Sequence, residues 1–183
     1  MSERTRPRLV LVGPMGAGKT TVGRRVAEAW GVRFRDTDLD IEASEGRAVS
    51  DIFVDSGEAR FRELEREAVV EALASHDGVL ALGGGAVLDQ VARAALAGHR
   101  VVFLRVGLGD AAKRVGLGVS RPLLLGNVRG RIKQLIDERT PLYESVATHV
   151  VDTDGLGIDE VVEQVVALGT AWVDSAAGDG ARD

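Results

Sequence analysis

The strongest chemical signal in the chain is the stretch Gly13-Pro14-Met15-Gly16-Ala17-Gly18-Lys19-Thr20. It reads G-x-x-x-x-G-K-[ST] and falls between an apolar run and an amphipathic stretch. Glycines at these positions let backbone N–H groups turn inward around phosphates, next to the positive N-terminus of a helix. Lys19 is then placed to reach β- and γ-phosphates, and the Thr20 hydroxyl to ligate Mg²⁺. A chance glycine-rich turn is the bland alternative, and the strand–loop–helix setting counts against it. The motif alone does not choose among kinases, GTPases and transport ATPases. No N-K-x-D tetrad is present to specify guanine. The apolar run at 79–82 ends in glycines, not in the Mg²⁺-holding Asp of an ATP-driven machine. A small-molecule kinase stays in front.

A second group of residues could serve an acceptor. Asp36-Thr37-Asp38 closes a short apolar run, where open parallel sheets place their ligands. Alternation along a strand aims Asp36 and Asp38 to the same side. One carboxylate can hold a metal-bound water and the other can accept a hydroxyl proton; equally, an acidic turn here can cap the next helix. Arg62 and Glu65 stand three apart on helical periodicity, so Glu65 can brace the guanidinium, or the two can form an ordinary surface pair. Gly83-Gly84-Gly85 ends the third apolar run, where bare backbone admits close approach, unless it is only a flexible loop. Arg121-Pro122 lies in a glycine-rich stretch, and Arg139-x-Pro141-Leu142-Tyr143 closes a helical one.

These groups need a scaffold, and alternating periodicities supply one. Strand-like runs at 8–12, 32–36, 78–82, 100–106 and 148–151 alternate with helical stretches. The helices are expected from the phosphate loop to about residue 30, at 39–45, 49–55, 58–75, 88–97, 110–115, 128–143 and 158–173. Gly46 and Gly57 are expected to break the second and third helices. Such alternation predicts an α/β fold, a parallel sheet with helices on both faces, in a single domain spanning 1–183. Residues 1–7 and 174–183 are expected to be disordered.

Composition narrows the partners. The net charge is −5, aromatics are 4% of residues, and cations comprise twenty Arg against three Lys. That balance argues against nucleic acid as the main ligand. There is no cysteine, which excludes disulfides and thiolate metal sites. No apolar run approaches a membrane span, and residues 1–8 carry no signal-peptide core. The expectation is a cytoplasmic monomer with small-molecule partners, no nucleic acid and no membrane.

Taken together, the motifs resemble the shikimate kinase family. The similarity rests on G-x-M-G-x-G-K-T, on D-T-D-x-x-I-E from Asp36 to Glu42, and on I-F-x3-G-E-x2-F-R-x2-E from Ile52 to Glu65. It continues through G-G-G-A-V at 83–87, R-P-L-L at 121–124 and R-x-P-L-Y at 139–143, covering about residues 8–170. Six motifs in order and at compatible spacing are far more specific than any one. Another small P-loop kinase, acting on gluconate or a nucleoside monophosphate, and a non-catalytic nucleotide sensor are the rival expectations.

The resemblance implies a three-layer P-loop kinase fold, its five parallel strands in the order 2-3-1-4-5, with a substrate-binding segment near 37–65 and a mobile lid near 116–127. It assigns ATP to Gly16, Ala17, Gly18, Lys19, Thr20, Thr21, Arg114 and Arg121, with Arg114 against adenine. It assigns shikimate to Asp38, Arg62, Gly83, Gly84, Gly85 and Arg139, with Phe53 and Phe61 as apolar walls. Lys19, Asp38 and Arg121 would be catalytic. One Mg²⁺ would be held by Thr20 and, through water, by Asp36. The loop at 152–157 has no cation, whereas some family members place one near adenine there.

Overall fold

The computed structural model describes residues 6–116 and 127–179. The expected lid, Arg121, and residues 1–5 and 180–183 lie outside the described residues. Five parallel strands form one sheet: β1 (Leu9–Val12), β2 (Phe34–Asp36), β3 (Val79–Ala81), β4 (Val101–Arg105) and β5 (His149–Asp152). Their order is β2-β3-β1-β4-β5, as expected. β1 sits at the centre, paired Val10↔Leu80 on one side and Val10↔Val101 on the other.

Strand periodicity splits the apolar residues into two cores. Leu9, Leu11, Val102 and Leu104 face one layer, with Val22 and Val26 of α1 (Lys19–Trp30) and Val161 and Val165 of α7 (Ile158–Asp179). Val10, Val12, Leu80 and Phe103 face the other, with Val69 and Leu73 of α3 (Val49–Ser75) and Tyr143 of α6 (Val128–Val146). A strand buried on both faces has no polar alternate position, which is why these runs read as continuously apolar. Each large side chain so buried contributes roughly 1.5–3 kcal/mol. A third, smaller cluster of Ile41, Ile52, Phe61 and Leu64 holds α2 (Thr37–Glu45) against α3.

Local chemistry moves several element boundaries from those expected. α2 starts at Thr37, not 39, because the Asp36 side chain accepts the Asp38 N–H and caps it. Gly46 ends it in a left-handed conformation, φ 67°. At Gly57 (φ 84°, ψ 163°) α3 breaks into two helical pieces, as its glycine predicts. The helix expected at 88–97 is a 3₁₀ turn, Ala86–Leu88, followed by α4 (Gln90–Ala95). Asp89 divides them, its carboxylate accepting the Ala92 N–H at 2.9 Å. α5 spans Leu108–Val115. α6 runs through Pro141 to Val146, a turn beyond the expected end, since that turn keeps Tyr143 and Val146 on the core.

Two described stretches reach into the tails expected to be disordered. Pro7 is buried, and next to it the Arg8 N–H donates to Gly78 O at 2.8 Å. α7 extends to Asp179, beyond the expected 173, through a stretch with alanines and no proline to stop it. No helix among the described residues is long and apolar enough to cross a membrane.

Candidate active site

The carboxyl ends of β1, β2 and β3 point into one cleft of about 420 Å³. β1 delivers the phosphate loop, β2 ends at Asp36, the first turn of α2 rather than strand alternation positions Asp38, and β3 delivers the triple glycine. α3 adds Phe53, Phe61 and Arg62 from the side, and α6 adds Arg139. Gly16, Gly18, Lys19, Thr20, Thr21, Gly84, Gly85 and Arg114 also line it. Ala17 is buried behind the loop, and Gly83 is buried beneath Asp38. Arg121 lies outside the described residues.

The phosphate loop is held from both sides. Gly16 and Gly18 adopt left-handed conformations, φ 82° and 88°, and Gly18 forms the N-cap of α1. Lys19 Nζ donates to Gly13 O at 2.7 Å and Pro14 O at 3.1 Å, which spans the loop and places its ammonium at the mouth. Arg114 clamps the far side, donating to Gly16 O at 3.0 Å and to Thr153 O at 3.0 Å. That clamp could not be read from the chain, since Thr153 belongs to no motif.

Thr20 Oγ1 donates to Asp36 Oδ2 at 2.7 Å, while Asp36 Oδ1 accepts the Asp38 N–H at 3.0 Å. One carboxylate therefore meets the Thr20 hydroxyl and caps α2 at once, so the capping alternative holds for this residue. Among the described residues no cluster of three His, Asp or Glu could bind a metal alone. A hydroxyl and a carboxylate oxygen at the phosphate mouth do suit a hard divalent ion that takes its remaining ligands from phosphates and water.

On the acceptor side, Arg62 donates from Nη1 to Glu65 Oε2 at 2.6 Å and from Nη2 to Glu58 Oε1 at 3.2 Å. Burial opposes the Arg62 charge, but the two carboxylates more than offset it and hold the group above its ordinary range. Burial pushes Glu65 above the usual carboxylate range, with Arg62 and Arg139 pulling against it. A Glu65 side chain 3% exposed is a buried brace rather than half of a surface pair. Phe53 and Phe61 stack at 4.6 Å, and the Arg62 guanidinium lies 5.8 and 5.4 Å from their centroids. Arg139 is 5% exposed.

The glycines serve side chains as much as a ligand. A Cβ at Gly83 would overlap Asp38 Oδ1 and lie 2.8 Å from Glu65 Oε1. One at Gly85 would overlap the Arg62 guanidinium, whereas at Gly84 the nearest atoms stand at 3.6 Å. Gly83 N–H donates to Thr37 Oγ1 at 3.1 Å, a partner hidden between the two motif aspartates. Met15 of the phosphate-loop motif also lines the cleft, with Val49, Leu82 and Ile158, which had no sequence signal beyond being apolar.

Comparison with known proteins agrees with this geometry. The pattern described as "Shikimate kinase" matches residues 15–168. The chain belongs to the shikimate kinase family. Relatives named shikimate kinase in Salinispora arenicola and Thermobifida fusca are each 59% identical, over 88% of this chain and 97% and 94% of theirs. Among solved structures, a shikimate kinase from Acinetobacter baumannii in complex with shikimate is similar with a TM-score of 0.86. It is 35% identical and covers 92% of this chain and 95% of that one. A gluconokinase from Sinorhizobium meliloti, 19% identical with a TM-score of 0.55, shares the fold alone. Shikimate kinases are ATP-dependent phosphotransferases that act on shikimate.

Proposed function

We propose that this chain transfers the γ-phosphoryl of ATP to the 3-hydroxyl of shikimate, giving 3-phosphoshikimate and ADP. The observation that carries it is one cleft joining the Lys19–Thr20 loop to Asp38, braced Arg62 and buried Arg139. An acidic chain needs local cations to take an anionic acceptor, and these two arginines are well placed for a carboxylate. Asp38 orients the acceptor hydroxyl and takes its proton as the new O–P bond forms and the bond to the β-phosphate oxygen breaks. Lys19 stabilises the charge on the transferring group and on the leaving ADP. Phe53 and Phe61 wall the ring and exclude water, which otherwise competes as acceptor.

Mg²⁺ bound with ATP neutralises phosphate charge, and Thr20 together with Asp36, through water, would hold it. Thr21 and the backbone at 16–18 contact the phosphates, and adenine rests against Arg114, already fixed by Gly16 and Thr153. The R-P-L-L resemblance supports a role for Arg121, outside the described residues, at the transferring group. A cytoplasmic location, where ATP is supplied, and a monomeric state complete the proposal.

ADP release measured with shikimate, gluconate and a nucleoside monophosphate as acceptors tests the assignment. Shikimate-dependent turnover that Lys19→Ala lowers by at least about 100-fold, with the fold intact, is expected. Preference for either other acceptor overturns it.

A further inference from the structure

The hydroxyl of Tyr143 donates to the carbonyl of Gly84 at 2.6 Å. Every other feature of this tyrosine makes that bond rigid. The side chain is 0% exposed, and its ring packs on Phe103 of β4 at 5.0 Å. Tyr143 stands four residues after Arg139 on α6, so both project from one helix face toward the cleft. Burial pushes its phenol up to about 12, which keeps the proton available for donation.

The triple-glycine turn has a marked asymmetry in its hydrogen bonds. Gly83 N–H donates to Thr37, Gly83 O accepts from Ala86, Gly84 O accepts from Tyr143 and Gly85 O accepts from Leu88. The N–H groups of Gly84 and Gly85 have no hydrogen-bond partner among the described residues, and both glycines line the cleft. Amide donors beside a cleft can be taken up by a ligand oxygen in place of water. The peptide between them is trans, so anchoring Gly84 O on one side sends Gly85 N–H to the other.

We infer that Tyr143 is a positioning residue: by holding Gly84 O it fixes the Gly84–Gly85 peptide plane and aims the Gly85 N–H at the acceptor. It touches neither substrate; it acts through the backbone that does. The inference deepens the proposed function and rests on it, with shikimate as the acceptor. Without the hydroxyl the peptide is free to rotate, and a glycine pair offers almost no steric resistance. Acceptor binding then bears the ordering cost.

Tyr143→Phe keeps the ring on Phe103 and removes the hydroxyl, and with it both the donation to Gly84 O and the contact with Arg139. The part carried by Gly84 is the loss that persists when the same change is made in an Arg139→Ala background. The KM for shikimate should rise roughly 5- to 20-fold, the range for one lost hydrogen bond and its ordering cost. The KM for ATP and kcat should stay within about twofold, a split that general loosening of the fold does not produce. An unmoved shikimate KM beside a lowered thermal midpoint overturns the inference, because the bond would then serve stability alone. Wild-type turnover, measured alongside, separates the two claims. Without shikimate-dependent turnover the functional proposal falls and the inference with it; with it, an unmoved Tyr143→Phe KM overturns the inference alone. Tyr143 is the chain's one tyrosine, so fluorotyrosine incorporation labels this position without any substitution. Its ¹⁹F resonance should move on adding shikimate and not on adding ATP alone; a resonance blind to shikimate overturns the inference even if Tyr143→Phe fails to fold.

Discussion

Thr20 and Asp36 meet at 2.7 Å, joining the first turn of α1 to the end of β2. The same carboxylate holds the Asp38 N–H through its second oxygen. The phosphate loop and the proposed acceptor side thus meet at a single side chain, and the two aspartates can be separated by experiment. Asp36→Asn keeps the cap, since Asn caps helices about as well as Asp, but removes the charge. Its thermal midpoint should change little while the Mg²⁺ concentration for half-maximal turnover rises several-fold. Asp38→Asn should instead lower kcat by at least about tenfold with its Mg²⁺ requirement unmoved. Identical Mg²⁺ titrations for the two variants would refute the division of roles.

The triple glycine yields a graded series. Alanine at 85 must displace the Arg62 guanidinium, whereas alanine at 84 meets nothing closer than 3.6 Å. Gly85→Ala should therefore weaken shikimate binding by roughly tenfold or more, the cost of one misplaced charge-assisted bond. Gly84→Ala should bind within about threefold of wild type, and ATP binding should be spared in both. Calorimetry with shikimate reads the comparison directly. Equal losses at the two positions contradict the packing of Arg62 on Gly85.

How far these relationships were legible in the chain varies with their physical origin. Strands such as 8–12 and 100–106 were legible because burial on both faces leaves no polar position in them. The clustering of Asp38, Arg62 and Arg139 was legible only through the family resemblance, since Arg62 and Arg139 stand on α3 and α6, whose packing is not fixed by periodicity. Contacts between side chain and distant backbone left no such trace. Arg114 on Gly16 O, Thr37 on Gly83 N–H and Tyr143 on Gly84 O each depend on loop paths that periodicity does not encode. The late start expected for α2 has a local cause: Asp36 reads as a turn residue, while its capping of the Asp38 N–H decides the outcome.

Buried histidine should make the fold acid-sensitive. His76 is 4% exposed, its Nε2 lies 3.1 Å from Val79 O, and burial depresses its pKa below the ordinary 6.5. Burial depresses His99 as well. A depressed value in the fold means that folding favours the neutral ring. The stabilisation is complete above pH 6.5 and is lost as pH falls through the lower folded value. Thermal midpoints should therefore drop between about pH 6.5 and 5, before most carboxylates titrate. His76→Gln, which can still donate to Val79 O, should flatten that slope. An identical slope in the variant would assign acid sensitivity elsewhere.

The sharpest test of the acceptor pocket uses the substrate's charge. Shikimate carries one carboxylate, and the cleft offers Arg62, braced by Glu65 at 2.6 Å, and Arg139, 5% exposed. Each charge-assisted hydrogen bond to that carboxylate should contribute roughly 1.5–3 kcal/mol. Arg62→Ala or Arg139→Ala should then weaken shikimate binding by roughly 10- to 150-fold, leaving ATP affinity nearly unchanged. Arg62→Ala also leaves Glu65 buried without its partner, so some loss of stability will accompany it. A methyl ester of shikimate distinguishes that structural loss from lost recognition. The ester keeps all the ring hydroxyls but not the charge, so it should be a poor substrate for the wild-type protein. Removing either arginine should then cost the ester much less than it costs the acid. A general disturbance of the pocket would instead lower both by the same factor, and the difference between the two losses isolates the carboxylate contact. Equal phosphorylation of ester and acid by the wild-type chain would place the carboxylate away from Arg62 and Arg139.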